Sequence, residues 1–189
     1  MLRRMSIPGT LVLMTIASLV GISLYEDYRV DRINGNESRA ISNLKNLSSA
    51  QVQLQATGAR DKNENSIGEF GDFADLEEFL SAAWNGGTKT RVVLQGYVIE
   101  VHLSKDPGKR EYKWTAYAWP ASYGSSGIRA FMVNQQGDIL ATNNAQSRYS
   151  GATRVPKLDA AFLDPEPITR KLLPAVNEVG RDGLLWTIV

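Results

Sequence analysis

The sequence predicts an α+β protein: one long N-terminal helix packed on a four-stranded antiparallel β-sheet, followed by a C-terminal extension. Three observations predict it. Residues 7–24 are almost wholly apolar and run without a stop into a polar stretch that keeps a helical pattern through Gln55. Four short β-prone runs then follow one another with tight turns between them. Short neighbouring runs joined that way form an antiparallel meander, whose apolar face one helix can cover.

The chain has 189 residues, enough for about one domain beyond the apolar start. Lys and Arg total 21 against 20 Asp and Glu, and this balance excludes a general nucleic-acid binder, which would carry a basic stripe. There are no cysteines, so disulfides, thiolate nucleophiles and Cys-based zinc sites are excluded. A single histidine, His102, excludes two-His chemistry. No nucleophile–base–acid set stands out, and Glu77 and Glu78 are adjacent on a helical run and face different ways, so no enzyme is expected.

Residues 1–27 read as a cytoplasmic tip and transmembrane anchor. The apolar run of about 18 residues nearly matches a hydrocarbon core at ~1.5 Å per residue. Arg3 and Arg4 precede it, and Glu26 and Asp27 follow it. That bias predicts a single-pass inner-membrane protein with its C-terminal domain periplasmic or extracellular, and the lipid bilayer as a partner. The same stretch also fits a cleaved signal peptide, with residues 11–20 as its apolar region and Gly21 and Ser23 ahead of a cut before Leu24.

Residues 28–57 read as an amphipathic helical stem. Tyr28, Ile33, Ala40, Ile41, Leu44, Leu47, Ser48 and Leu54 recur mostly at three- and four-residue steps. Arg29, Asp31, Arg32, Glu37, Arg39 and Lys45 fall mostly outside this stripe, which assigns them to the wet face. Asn34-Gly35-Asn36 predicts a weak point or kink, and Thr57-Gly58 a helix end.

Residues 58–144 read as the sheet domain. At its start, Asp61, Asn63 and Asn65 alternate, and Asp72 stands at the twelfth place of a calcium-type loop. Ser66 replaces the usual Gly at the sixth place, and Asp72 is shorter than the usual Glu. These four are the only metal candidates, with ordinary turn material as the competing reading; no other cofactor is expected. Residues 75–84 predict a short helix stopped by Asn85-Gly86-Gly87. The strands are predicted at 97–104, 112–119, 128–134 and 139–142, with turns at 106–109 and 136–137. His102 is expected to face solvent or a strand neighbour. Gly124-Ser125-Ser126-Gly127 is one residue short of a nucleophile elbow and reads as a flexible loop. Tyr112, Trp114, Tyr117 and Trp119 read as sheet packing rather than a stacking surface for bases or sugars.

Residues 145–189 read as the C-terminal extension. Residues 143–157 form a polar linker or loop, and Ile168, Leu172, Val176 and Val179 a helical stripe kinked at Pro174. Residues 184–189 form an apolar end fit for a last strand.

The order of anchor, continuous stem, short helix and meander resembles the type IV pilin and type II secretion pseudopilin superfamily. The segment 36–44, with Ser49-Ala50-Gln51, is similar to the stem of major-pseudopilin-type proteins, and 127–135 followed by Gly137 to their third strand and its turn. The resemblance covers about residues 11–144. It implies a non-catalytic structural subunit of a pilus or secretion-type assembly, contacting other pilin-like subunits through its N-terminal helix. The other reading is an anchored or signal-cleaved extracytoplasmic binding domain acting alone. One departure stands out. The leader of such proteins ends in Gly and is followed by an apolar residue, with Glu at the fifth mature position. Here Gly9 is followed by Thr10, and Met14 takes that fifth place.

Overall fold

The structure, a computed structural model, describes residues 9–146, 148–163 and 173–189, with side chains from Tyr25 onward. Helix α1 (Gly9–Thr57) runs 49 residues. It passes through Asn34-Gly35-Asn36 without a break, so the expected weak point does not interrupt the helix. From Ile33 onward it buries one face: Ile33, Ala40, Leu44, Leu47, Ala50 and Leu54. All but Ala50 belong to the predicted stripe, of which Ile41 and Ser48 are half-buried and Tyr28 is exposed.

The sheet contains strands β1 (Arg91–Leu94), β2 (Tyr97–Leu103), β3 (Trp114–Pro120), β4 (Ala130–Asn134), β5 (Ile139–Thr142), β6 (Glu178–Val179) and β7 (Leu185–Ile188). All neighbours are antiparallel, in the order β1-β2-β3-β4-β5-β7-β6. The expectation of a four-stranded sheet is therefore corrected to seven strands. β1 joins β2 through Gln95 and Gly96, both with positive φ (45° and 84°), the two-residue turn whose twist matches a hairpin. β7 pairs with β5 through Leu140↔Ile188 and Ala141↔Thr187, so the C-terminal residues belong to the sheet and do not extend away from it.

Both faces of the sheet are covered. On one, Ile99, Val101, Ala116, Ala118, Phe131 and Val133 meet Ala40, Leu44, Leu47 and Leu54 of α1. Alanines at 116 and 118 keep the central strand low where a helix rests. On the other, Val98, Tyr117, Trp119, Met132 and Leu140 pack against Tyr149, Ala160, Ala161, Phe162, Ala175, Leu184 and Trp186 from the C-terminal return. Every residue of β3 and β4 is buried as a result. Trp114, Tyr117 and Trp119 lie in these two cores, and Tyr112 alone of the predicted aromatic set is exposed.

Three local expectations change. Residues 75–84 form two turns and the 3-10 segment Ala82–Gly86, not one helix, because the amides of Asp75 and Leu76 turn back to Asp72 and a fresh turn starts at Ser81. The turn expected at 106–109 is largely the one-turn helix α2 (Pro107–Arg110), capped by the Asp106 carboxylate accepting from Gly108 N at 3.1 Å. The stripe predicted over 168–179 lies outside the described residues up to Leu172. Beyond that, Pro174 bridges Phe162, and Glu178–Val179 is strand.

The anchor falls largely on residues 1–8 and on the side chains of 9–24, which lie outside the described set. Among the described residues no helix is long and apolar enough to cross a membrane. The expectations of a membrane-spanning first half for α1, and of a single-pass inner-membrane location, are corrected accordingly.

Candidate functional site: a clasp between the helix and the 124–129 loop

Where α1 leaves the sheet, its polar residues grip one loop. Arg29 Nη1 donates to Gly124 O at 2.9 Å, Arg32 Nη2 to Ser125 O at 3.1 Å, and Asn36 Nδ2 to Ser126 O at 2.9 Å. Steps of three and four residues put these donors on one helix face, one above another. They take three successive carbonyls of a loop that has few strand partners. The next two backbone groups go to Glu37. Its Oε1 accepts from Ile128 N and Arg129 N, both at 3.0 Å, and its Oε2 from Arg129 Nε at 2.6 Å. Glu37 is only 5% exposed, so this carboxylate replaces water with three donors.

Tyr97 completes the joint. Its hydroxyl donates to Arg129 O at 2.9 Å, and burial, then the negative Glu37 nearby, hold its phenol far above the ordinary tyrosine value. Gly127 leaves room for that ring: a Cβ there would lie 2.2 Å from Tyr97 Oη. The expected flexible loop at 124–127 is thus a fixed one. Ser126 also bonds across it, its Oγ accepting from Ser122 N at 2.9 Å.

A second joint fixes the other end of α1. Gln51 is fully buried and makes paired bonds to Gly71, donating to its O at 2.7 Å and accepting from its N at 2.9 Å. Arg60 pairs with Asp75 beside this point. The helix is therefore held near both ends of its buried half, and its direction relative to the sheet is set.

The calcium-type residues divide among separate tasks. Asp61 accepts from Asn65 N and Ser66 N at 3.2 and 2.7 Å. Asn63 and Asn65 both donate to Glu111 Oε1, at 2.7 and 2.8 Å. Asp72 accepts from Ala74 N at 3.0 Å and begins the next turn. Among the described residues no group of three or more His, Asp or Glu side chains is placed to hold a metal ion. His102 sits half-buried on β2, edge-on to Tyr117 at 5.9 Å between ring centroids. Burial and Arg91 lower its pKa, and Glu100 opposes them.

The fold and its joints define a class: a sheet domain covered on both faces and rigidly mounted on a long helix. A family model described as "Protein of unknown function (DUF2950)" matches residues 95–161, from the β1–β2 turn to the first part of the C-terminal return. The chain is similar to that family over this stretch, which is where the gripped loop lies. No curated protein and no solved structure gives a significant match.

Proposed function

We propose that the chain is a non-catalytic, pilin-like structural subunit of the type IV pilus or type II secretion kind, whose α1 carries the domain and packs by its leading part against the same helix of neighbouring subunits. One observation carries this reading. α1 extends about 24 residues, or about 36 Å at ~1.5 Å per residue, ahead of Ile33, its first buried side chain among the described ones. A helix that served only to cover the sheet would need no such extension. Helices in proteins gain most of their stability by packing a face against something else, so an extension of this length calls for a partner along it. Ahead of the clasp residues Arg29 and Arg32, Tyr25 and Tyr28 are 63% and 65% exposed. The clasp supports the same reading, because a load passed along the helix reaches the sheet through charged bonds at the point of exit. Its polar groups are spent on holding a loop, which favours a mechanical role over a catalytic one.

The test uses the chain's lack of cysteine. Tyr25→Cys and Tyr28→Cys variants, oxidised at native concentration, are expected to give covalent dimers. Val93→Cys, equally exposed but on β1, is expected to stay monomeric. Monomer at both helix positions, or as much dimer from Val93→Cys, overturns the reading.

A further inference from the structure

We propose that the cavity between the 149–160 segment and the turn at Arg181 and Asp182 binds a small organic carboxylate. This goes beyond the structural role and does not depend on it. The cavity measures about 390 Å³, within the range of small-molecule sites. Its charged groups are unequally committed. Asp182 is saturated: Oδ2 accepts from the Tyr149 hydroxyl at 2.8 Å, and Oδ1 from Leu184 N at 3.0 Å and Trp186 Nε1 at 3.2 Å. Asp159 is spent on Arg181, accepting from its Nε at 2.9 Å.

The cations are what remains. Arg181 uses Nε internally, so both terminal nitrogens of its guanidinium have no partner among the described residues. Lys157 lines the same cavity, is exposed, and its ammonium likewise has no described partner. A guanidinium edge already aligned by a carboxylate on its Nε side presents two parallel N–H donors, the geometry that suits a second, planar oxyanion. The backbone keeps it in place, with Arg181 N donating to Phe162 O at 3.1 Å and Asp182 N to Ala160 O at 3.3 Å.

The rest of the lining sets the class of anion. Val155 offers apolar surface beside the two cations, and the buried Ala160 and Tyr149 back the cavity wall. Inorganic phosphate would satisfy the cations and leave that surface wet, whereas a carboxylate on a ring or short apolar body covers both. One wall comes from the family-matched segment and the other from the return after it.

Benzoate, benzamide and inorganic phosphate are the probes. Each is titrated into the full chain at low ionic strength, read by tryptophan fluorescence, since Trp186 bonds to the cavity's own Asp182. Benzoate is expected to saturate, and benzamide, which has the same shape without the charge, to bind at least tenfold more weakly. Phosphate is expected to bind more weakly than benzoate. Lys157→Gln, which touches no described bond, is expected to melt like the parent and weaken benzoate several-fold; Arg181→Lys is expected to weaken it further. The proposal is overturned if benzoate fails to saturate, if benzamide equals it, if phosphate exceeds it, or if Lys157→Gln leaves its affinity unchanged.

Discussion

Glu37→Gln tests the clasp with the smallest change of shape. The carboxylate takes two backbone N–H bonds and one from the Arg129 guanidinium. The amide keeps one oxygen, which can still accept from Ile128 N and Arg129 N, but without charge each bond loses about half its strength. Charge-assisted bonds contribute ~1.5–3 kcal/mol each, so the two together lose about 1.5–3 kcal/mol. The new NH2 also faces Arg129. That side chain is 43% exposed, so the ion pair itself is worth no more than about 1 kcal/mol. The expected cost is about 1.5–4 kcal/mol, and Glu37→Ala, which strands two amides, should cost more, about 3–5 kcal/mol. Urea denaturation followed by the fluorescence of the four tryptophans measures both. Hydrogen exchange localises the effect: the amides of Ile128 and Arg129 should lose protection ahead of those in β3. A Glu37→Gln variant within about 0.5 kcal/mol of the parent would refute the argument, because that is the scale of a surface substitution.

Three further outcomes follow from buried groups. Tyr97 and Tyr117 both hold their protons above the ordinary tyrosine value, chiefly through burial. The fold therefore gains nothing from them below about pH 10 and loses stability above it, as the unfolded chain releases protons that the native state keeps; Tyr117→Phe should flatten that alkaline slope by about one proton, measured by urea midpoints across the range. His102 titrates below its ordinary value in the fold. Its contribution is then present above about pH 6.5 and is lost on going lower, at up to ~1.4 kcal/mol per pH unit until the native value is passed; His102→Asn should remove that slope from the same midpoints. At Gly68 a Cβ would lie 1.9 Å from Gln55 O, which is backbone and cannot swing away, so Gly68→Ala should cost at least about 1–3 kcal/mol in thermal or urea melts.

The parts of this fold legible in the sequence are those governed by a local period. The stem stripe at Ile33, Ala40, Leu44, Leu47 and Leu54 repeats every three or four residues, and the same positions are buried on the sheet. The clasp had no such pattern. Arg29, Arg32 and Glu37 are charged residues on a helix, whose default is water, and their partners lie 91–95 residues away along the chain. No spacing within the stem reveals a loop that far off. The seven strands were undercounted for two other reasons. β1 is four residues long and its residue types, Arg-Val-Val-Leu, do not alternate although their burial does, and β6 and β7 are separated from the meander by a proline-bearing return. One clue was present. Between Trp114 and Pro120 only Thr115 is neither apolar nor aromatic, so β3 has no wet face to offer. Such a run in an antiparallel sheet requires cover on both sides, and the C-terminal return supplies it.

That second cover also limits where this protein can meet another. With α1 on one face and the return on the other, β3 and β4 cannot accept a further layer. Among the described residues, exposed apolar side chains include Tyr25, Tyr28 and Val30 on the helix flank, Val52 near its other end, Val93, Val179, Leu185, Ile188 and Val189 at or beside the edge strands, and Ile67, Tyr112, Ile128, Leu163 and Leu173 scattered over the loops. Edge strands can pair with another chain, but β6 has only two residues, which gives a partner strand little ladder to extend. The helix flank starts at a rigid joint and continues along a rod of about 36 Å. Contacts made there are aimed by the clasp, whereas contacts at the edges are not. Weakening the clasp by Glu37→Gln should therefore lower dimer yield from Tyr28→Cys while leaving the monomeric Val93→Cys chain unchanged. Equal dimer yield with and without Glu37 would separate the joint from assembly and leave it a matter of domain stability alone.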